Sequence, residues 1–375
     1  MRVPTAWFLT ALLAAALIAC AAKPPKVQWT KAFAGWGSSD GACVQQVSDG
    51  YIVVGNTDSD DSTPDAAILL AKVNSDGTKA WQKIIKTGVP IDANSVLQTA
   101  DGGYVVAGTE PPDSVSLFKT DAQGNLLWLH TVAPGVYGQG YSVVHLANQG
   151  FVVAAQRIVS DSGLLLCWTD SLGDSLAGFP RWKLYPVAYP YHEPVSVSLR
   201  QASDGGFIVG TQTLLRVNSQ GTQQWLKTFA NLAEASCAIP TSDGGYAAVG
   251  PTRGGIGLLK TNANGDTAGG AGWLKTYAPS EYSLGNWVEQ TADGGYIVAG
   301  AVQPGKNVWS KAILLRMSSD GTPSWMDTLC IGGAECVRQT WDGGYIATGS
   351  RFDPSAGSQG VNYMFLTKLT PEGKR

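Results

Sequence analysis

"TADGGYIVAG" occupies residues 291–300 and "TADGGYVVAG" residues 99–108. Two such decapeptides far apart in one chain mark a repeat, and the rest of it can be read outward from them. A Trp recurs at Trp29, Trp81, Trp128, Trp182, Trp225, Trp273 and Trp325, at intervals of 43 to 54 residues. Between successive Trp lies one order of parts: a run ending in D-G-G or a relative, an aromatic, apolar residues, a variable stretch, a second apolar run and an N-S-D-G-like turn. The aromatics are Tyr51, Tyr104, Phe151, Phe207, Tyr246, Tyr296 and Tyr345. A period near 50 residues with four strand-like runs predicts an all-β fold, a seven-bladed β-propeller of four-stranded antiparallel blades over residues 27–375.

Each part has a physical reason. Asp-Gly and Gly-Gly supply the positive φ of two-residue hairpins, so D-G-G is expected to join the first two strands of a blade and N-S-D-G the last two. Blades are wedges. Six residues before the turn, the innermost strand carries small residues at Cys43, Ser95, Ser142, Ser198, Cys237 and Cys336, while the outer strand carries the Trp that fills the wide gap between sheets. Trp287 breaks the small-residue rule. The last repeat stops at "TPEGKR", short of a Trp strand, and the first Trp strand, "VQWTKAF" from Val27, has no strand before it. The N-terminal strand is therefore expected to close the last blade and remove an exposed edge. A solenoid would want capping repeats, and these ends are complementary instead.

The pattern resembles the T-x-D-G-G-Y repeats, with K-x-D-x-x-G-x-x-x-W, of secreted and surface β-propeller proteins of bacteria and archaea, most without an assigned activity. The third repeat, "LANQGFVVAA", departs furthest from it. "SSDGTPSW" (318–325) is similar to the Asp-box of sialidase-type propellers and "DAQGNLLW" (121–128) to the Trp-docking motif of quinoprotein-type propellers; both comparisons imply fold rather than chemistry. Ahead of the repeats, Arg2 precedes the apolar stretch "AWFLTALLAAALIA" (6–19), too short to span a membrane and suited to a signal peptide over residues 1–19. It ends in "LIAC", which resembles the lipobox of bacterial lipoproteins. The resemblance implies lipidation of Cys20, a short tether over residues 20–26, and an exported protein held to the membrane by that lipid. Ala21 after the Cys, in place of Asp, leans toward the outer membrane.

Composition narrows function. With 44% hydrophobic and 15% charged residues the chain can bury a large core, and its formal charge of −3, without basic runs, argues against nucleic acid as a partner. The 46 Gly, 13 Trp and 13 Tyr suit short strands joined by tight turns. Three His and dispersed Cys give no zinc pattern. His145 stands where other repeats have Gln46, Gln98, Gln201, Gln290 and Gln339, and reads as a structural hydrogen-bonding position. "GSSDG" (37–41) satisfies G-x-S-x-G but falls between strands, not at a strand-to-helix elbow. Cys330 and Cys336 are close in sequence, yet a bridge would have to run from rim to axis.

The face opposite the tight hairpins carries the longer, more varied loops. Its candidate binding residues are Trp36, Asp40, Tyr137, Tyr191, His192, Glu193, Arg253, Glu281, Tyr282, Trp287, Trp309 and Arg351: aromatics beside scattered charges, suited to an envelope protein or glycan partner. Asp58, Asp60, Asp61 and Asp65 could offer oxygen ligands to calcium, though such residues without the full loop pattern more often form a solvated acidic loop; no other cofactor is expected. Gln45, Arg200, Glu289 and Arg338 set mixed charge toward the central channel. These features suit a binding or assembly scaffold. The alternative is a glycan hydrolase or lyase at the channel mouth, with Glu281, Trp287, His192, Glu193 and Arg253 as the residues to test. An enzyme should converge a carboxylate pair, or an acid with a His, on the channel.

Overall fold

The D-G-G turn shows how each blade is made. In the computed structural model of the chain, residues 23–371 are described except 36, 59–66, 89, 111–113, 135–141, 148–149, 158–162, 188–195, 268–271, 279–281, 307 and 357–359. The Thr99 hydroxyl donates to Asp101 Oδ1 at 2.5 Å, and the same oxygen accepts the Gly103 amide at 3.0 Å. Gly102 takes φ +81°, which a side chain would resist, while Gly103 does not lie in that region. Its role is space. A Cβ on Gly103 would sit 2.3 Å from the ammonium of Lys119, which comes from the third strand to pair with Asp101 at 2.9 Å. The expectation that both glycines supply positive φ in a two-residue hairpin is thus corrected: residues 99–103 form the whole turn, and the second glycine admits a buried cation.

The strands form six sheets. Five are four-stranded and antiparallel: β2 (Ser39–Val47) to β5 (Lys79–Ile85) through β3 (Gly50–Thr57) and β4 (Ala67–Asn74); β6 (Asp92–Gln98), β7 (Tyr104–Glu110), β8 (Ser114–Thr120) and β9 (Leu126–Pro134); β10 (Ser142–His145), β11 (Phe151–Arg157), β12 (Gly163–Thr169) and β13 (Trp182–Pro186); β14 (Ser198–Gln201), β15 (Phe207–Gly210), β16 (Leu214–Val217) and β17 (Gln223–Lys227); β18 (Cys237–Pro240), β19 (Tyr246–Thr252), β20 (Gly255–Thr261) and β21 (Trp273–Tyr277). The sixth sheet has seven strands, in the order β1 (Val27–Phe33), β27 (Val361–Leu369), β26 (Tyr345–Asp353), β25 (Pro323–Gln339), β24 (Lys311–Met317), β23 (Tyr296–Val302) and β22 (Leu284–Gln290). Seven separate sheets are therefore not what forms. No loop interrupts β25, a strand of 17 residues that pairs with β24 through Pro323–Ile331 and with β26 through Gly332–Gln339.

The architecture is a β-propeller of four-stranded antiparallel blades. Innermost strands touch in the cyclic order β2, β6, β10, β14, β18, β22, β25 and back to β2. β1 pairs antiparallel with β27, Val27 opposite Leu369, so the N-terminal strand covers the last edge as its lack of a partner foretold. Second and third strands such as β3 and β4 are apolar and buried along nearly their whole length because a neighbouring sheet covers each face.

Three contacts recur around the ring. The first is Trp docking: Trp29, Trp81, Trp128, Trp225 and Trp273 lie against Gly77, Gly124, Gly173, Gly265 and Gly321 of the following sheet, where a Cβ would come within about 3 Å of the ring. Five of the repeat's Trp also meet the post-turn Tyr of the next blade edge to face, as Trp81 does Tyr104 at 5.9 Å. The Gln ring supplies the second: Gln46, Gln290 and Gln339 accept the amides of Trp341, Ser242 and Ala292 in the preceding turn, and His145 bonds the Gln98 carbonyl at 2.8 Å, a structural position as read. Third, Asp49, Asp101, Asp204, Asp243, Asp293 and Asp342 pair at 2.5 to 2.9 Å with the buried Lys72, Lys119, Arg216, Lys260, Arg316 and Lys368 of their own blades, fixing the turns that the Gln ring grips.

The third sheet breaks both the turn and the docking rule. Trp168 replaces the buried cation and, with Tyr185, covers Gly221. The anchor read at Trp182 is 42% exposed and does not fill that gap.

Candidate functional site

A cavity of about 470 Å³ opens at the end of the axis away from the D-G-G turns. It is made by the first residues of the innermost strands. In β6, β22 and β25 a β-bulge at one equivalent position turns Asn94, Asn286 and Glu335 to the lining; in β2 the bulge falls at Ala42, beside Asp40. Bulges re-aim side chains at rims and sites, and four in register converge their residues on one axis. Ser95, Ser142, Ser196, Ser198 and Ser236 complete a polar wall.

Asn286 Nδ2 donates to Glu335 Oε2 at 2.9 Å and to the Ala334 carbonyl at 3.1 Å. Burial pushes the Glu335 carboxyl up to about 7, and the Asp40 charge adds to the shift. Asp40 is raised too, first by removal from water and then by Asp58. Asp40 is exposed and lines the cavity. Two carboxyls of raised pKa thus share one polar cavity, an arrangement able to hold or transfer a proton near neutrality.

Trp287 forms the floor. Below it the Arg200 guanidinium lies 4.3 Å and that of Arg338 4.5 Å from the indole ring, and Arg338 pairs with Glu289 at 3.5 Å. Arg200 also donates to the Leu199 carbonyl at 2.8 Å. Burial, then the Arg338 charge, draws the Arg200 pKa below its ordinary value. Trp287, read as the large residue of an innermost strand and named for the channel mouth, is a plug beside two cations, bulky where other blades are small.

Asp40 and Trp287 are the loop-face candidates that reach this cavity. Arg253 borders a separate groove with Asn231 and Thr276, and Arg351 another with Cys330 and Phe352. Trp309 packs on Phe352 at 4.4 Å, and Tyr282 is exposed. Asp58 accepts the Ser38 amide at 2.9 Å. Cys20, Trp36, Asp60, Asp61, Asp65, Tyr137, Tyr191, His192, Glu193 and Glu281 lie outside the described residues. Among the described residues no group of three or more acidic, His or Cys side chains is placed to hold a metal ion. Cys330 and Cys336 are both free. Asn94, Asn286 and Glu335 were missed by the sequence reading. Their signal was a polar residue just before the small innermost position, visible only once the repeats are aligned and known to bulge there.

No family model and no curated protein matches the chain. Among solved structures it is similar to puromycin hydrolase, with 16% identity and TM-score 0.54 over 83% of this chain and 50% of that one. It is also similar to BBS1N, solved in complex with ARL6DN, with 9% identity and TM-score 0.55 over 94% and 98%. The chain spans about half the length of the puromycin hydrolase. At these identities the likeness is one of fold.

Proposed function

We propose that this chain is an exported propeller of seven blades, lipid-anchored at Cys20 to the cell envelope, that binds a glycan in the axial cavity and so serves as a binding scaffold. Counting β25 in both of the blades it pairs with divides the seven-stranded sheet into two four-stranded blades, in keeping with the ring of seven innermost strands. The tether leaves from Val27, which pairs with Leu369 at the D-G-G end. The cavity then faces away from the membrane.

The observation that carries the ligand class is the convergence of Asn94, Asn286, Glu335 and Asp40 with several Ser hydroxyls over the Trp287 floor. Amides, hydroxyls and carboxyls supply the donors and acceptors a sugar needs, and the volume falls within the ordinary range of ligand pockets. The test is binding of the solubilised lipoprotein to a panel of envelope oligosaccharides. Replacing Asn94→Ala and Asn286→Ala together should weaken binding about tenfold or more while the unfolding midpoint changes little. Undiminished binding by the folded double variant would overturn the site.

The Asp40–Glu335 pair favours one second reading, hydrolysis of the bound glycan with Glu335 as the proton donor. A donor of pKa about 7 is protonated below that pH, so turnover should decline as pH rises through 7. Glu335→Gln should abolish turnover yet retain binding. A slow activity indifferent to both pH and Glu335→Gln would end this reading.

A further inference from the structure

The small innermost positions of the first and last blades are both Cys. Cys43 on β2 and Cys336 on β25 are 1% and 0% exposed, and they hold the same position on two touching innermost strands, in one buried cluster at the junction where the ring closes. Cys336 Sγ also approaches the Val44 carbonyl at 3.8 Å. Both are free in the structure. We propose that Cys43 and Cys336 are a disulfide-forming pair that covalently seals the first blade to the last.

The geometry explains why these two and no others. Cys330, the near neighbour in sequence, lies on the other side of β25's run, at 4.0 Å from the Ser350 carbonyl. Cys237 points instead to the Val288 carbonyl at 3.7 Å, two junctions away, where the facing small position is taken by Trp287. Cys167 sits on a third strand. The chemistry begins when one of the two thiols, Cys43 for instance, is ionised in the open chain as the attacking thiolate. It displaces one thiol from an oxidising disulfide, forming a mixed disulfide; Cys336, losing its proton, attacks the Cys43 sulfur and releases the second thiol. The protein loses two hydrogens and the oxidant leaves as two thiols. Because both sulfurs are enclosed in the closed ring, the reaction belongs to the open chain, as the last blade meets the first.

The bridge would have two effects. It ties together residues 43 and 336, separated by most of the chain, and so restrains the unfolded state strongly. It also adjoins the cavity, since Cys336 follows Glu335 and Cys43 follows Ala42, so the lining at this junction would be held in register. Formation in the cell rests on the export proposed above; formation in vitro does not.

The experiment uses the full lipidated chain in detergent, unfolded and refolded in glutathione with the oxidised form in excess, alkylated, and digested without reductant. The expected result is a linked Cys43–Cys336 peptide pair, about 2 Da lighter than its two thiol peptides, with Cys167, Cys237 and Cys330 alkylated. Reduction should lower the unfolding midpoint of this protein and leave that of Cys336→Ser unmoved. Should Cys336→Ser fail to fold, Cys43→Ser serves, and the peptide map of the unaltered chain decides alone. Alkylation at all five cysteines, or linkage to a different one, would overturn the pair. The same map on protein drawn directly from the envelope separates the two readings: a bridge made in glutathione but absent there supports the pair and removes export to an oxidising compartment.

Discussion

At the residue scale the repeat motif is a set of interlocking requirements. Thr99 and Gly103 satisfy Asp101, Gly102 turns the chain, and the absent side chain of Gly103 lets Lys119 reach the carboxylate. Trp287 is the residue that departs most from its neighbours. It separates the polar cavity from the charged layer below, with two guanidinium groups close to its ring. Trp287→Ala should destabilise the protein by about 3 kcal/mol, because it would open a void on the axis and strip both guanidinium groups of their aromatic partner. Urea unfolding would measure it. A cost within ±0.5 kcal/mol, typical of a plain surface change, would show that the plug carries no packing.

At the element scale the Asp–cation pair behaves as a unit. The third blade demonstrates this: where the turn reads "ANQG" its third strand carries Trp168 instead of a cation, so both partners have changed together. A buried cation deprived of its carboxylate costs more than replacing the pair by apolar groups. Asp243→Asn should therefore destabilise by about 1–3 kcal/mol, because Lys260, 8% exposed at its side chain, keeps the Thr261 carbonyl but loses its carboxylate. Lys260→Met added to Asp243→Asn should recover much of that loss. Thermal melts of the single and double variants decide it; a double variant worse than the single would show the pair to be a net stabiliser rather than a specification of the turn.

For the whole molecule, the same six pairs make the ring acid-sensitive. Hydrogen bonds and the facing cations hold the turn carboxylates low, Asp101 and Asp243 at about 2 against an ordinary 3.8. Groups depressed on folding stabilise above their unfolded pKa and lose that contribution as pH falls through the folded value. Stability should accordingly fall between pH about 4 and 2. Asp101→Asn combined with Asp243→Asn should flatten that fall, although the exposed carboxylates are partly screened by salt. Urea midpoints measured from pH 5 downward would show it, and equal pH slopes in parent and variant would exclude the turns as its source.

Much of this was legible in the sequence. The Trp period, the apolar second and third strands, the complementary ends and the structural place of His145 follow from local rules of turn, burial and spacing, which each repeat states anew. Less legible was anything set by what neighbours in the ring do to each other. That Trp182 cedes its place to Trp168, and that β25 runs unbroken through the middle of a seven-stranded sheet, depend on packing and on the absence of a loop that spacing alone does not show. The cavity belongs to the same class: Asn94, Asn286, Glu335 and Asp40 stand on separate strands, and only the bulges and the closed ring bring them together. Turn chemistry is fixed within five residues, so the chain by itself determined the blade. Which side chains meet on the axis is fixed by closure over more than three hundred residues, and that only the tertiary structure decided.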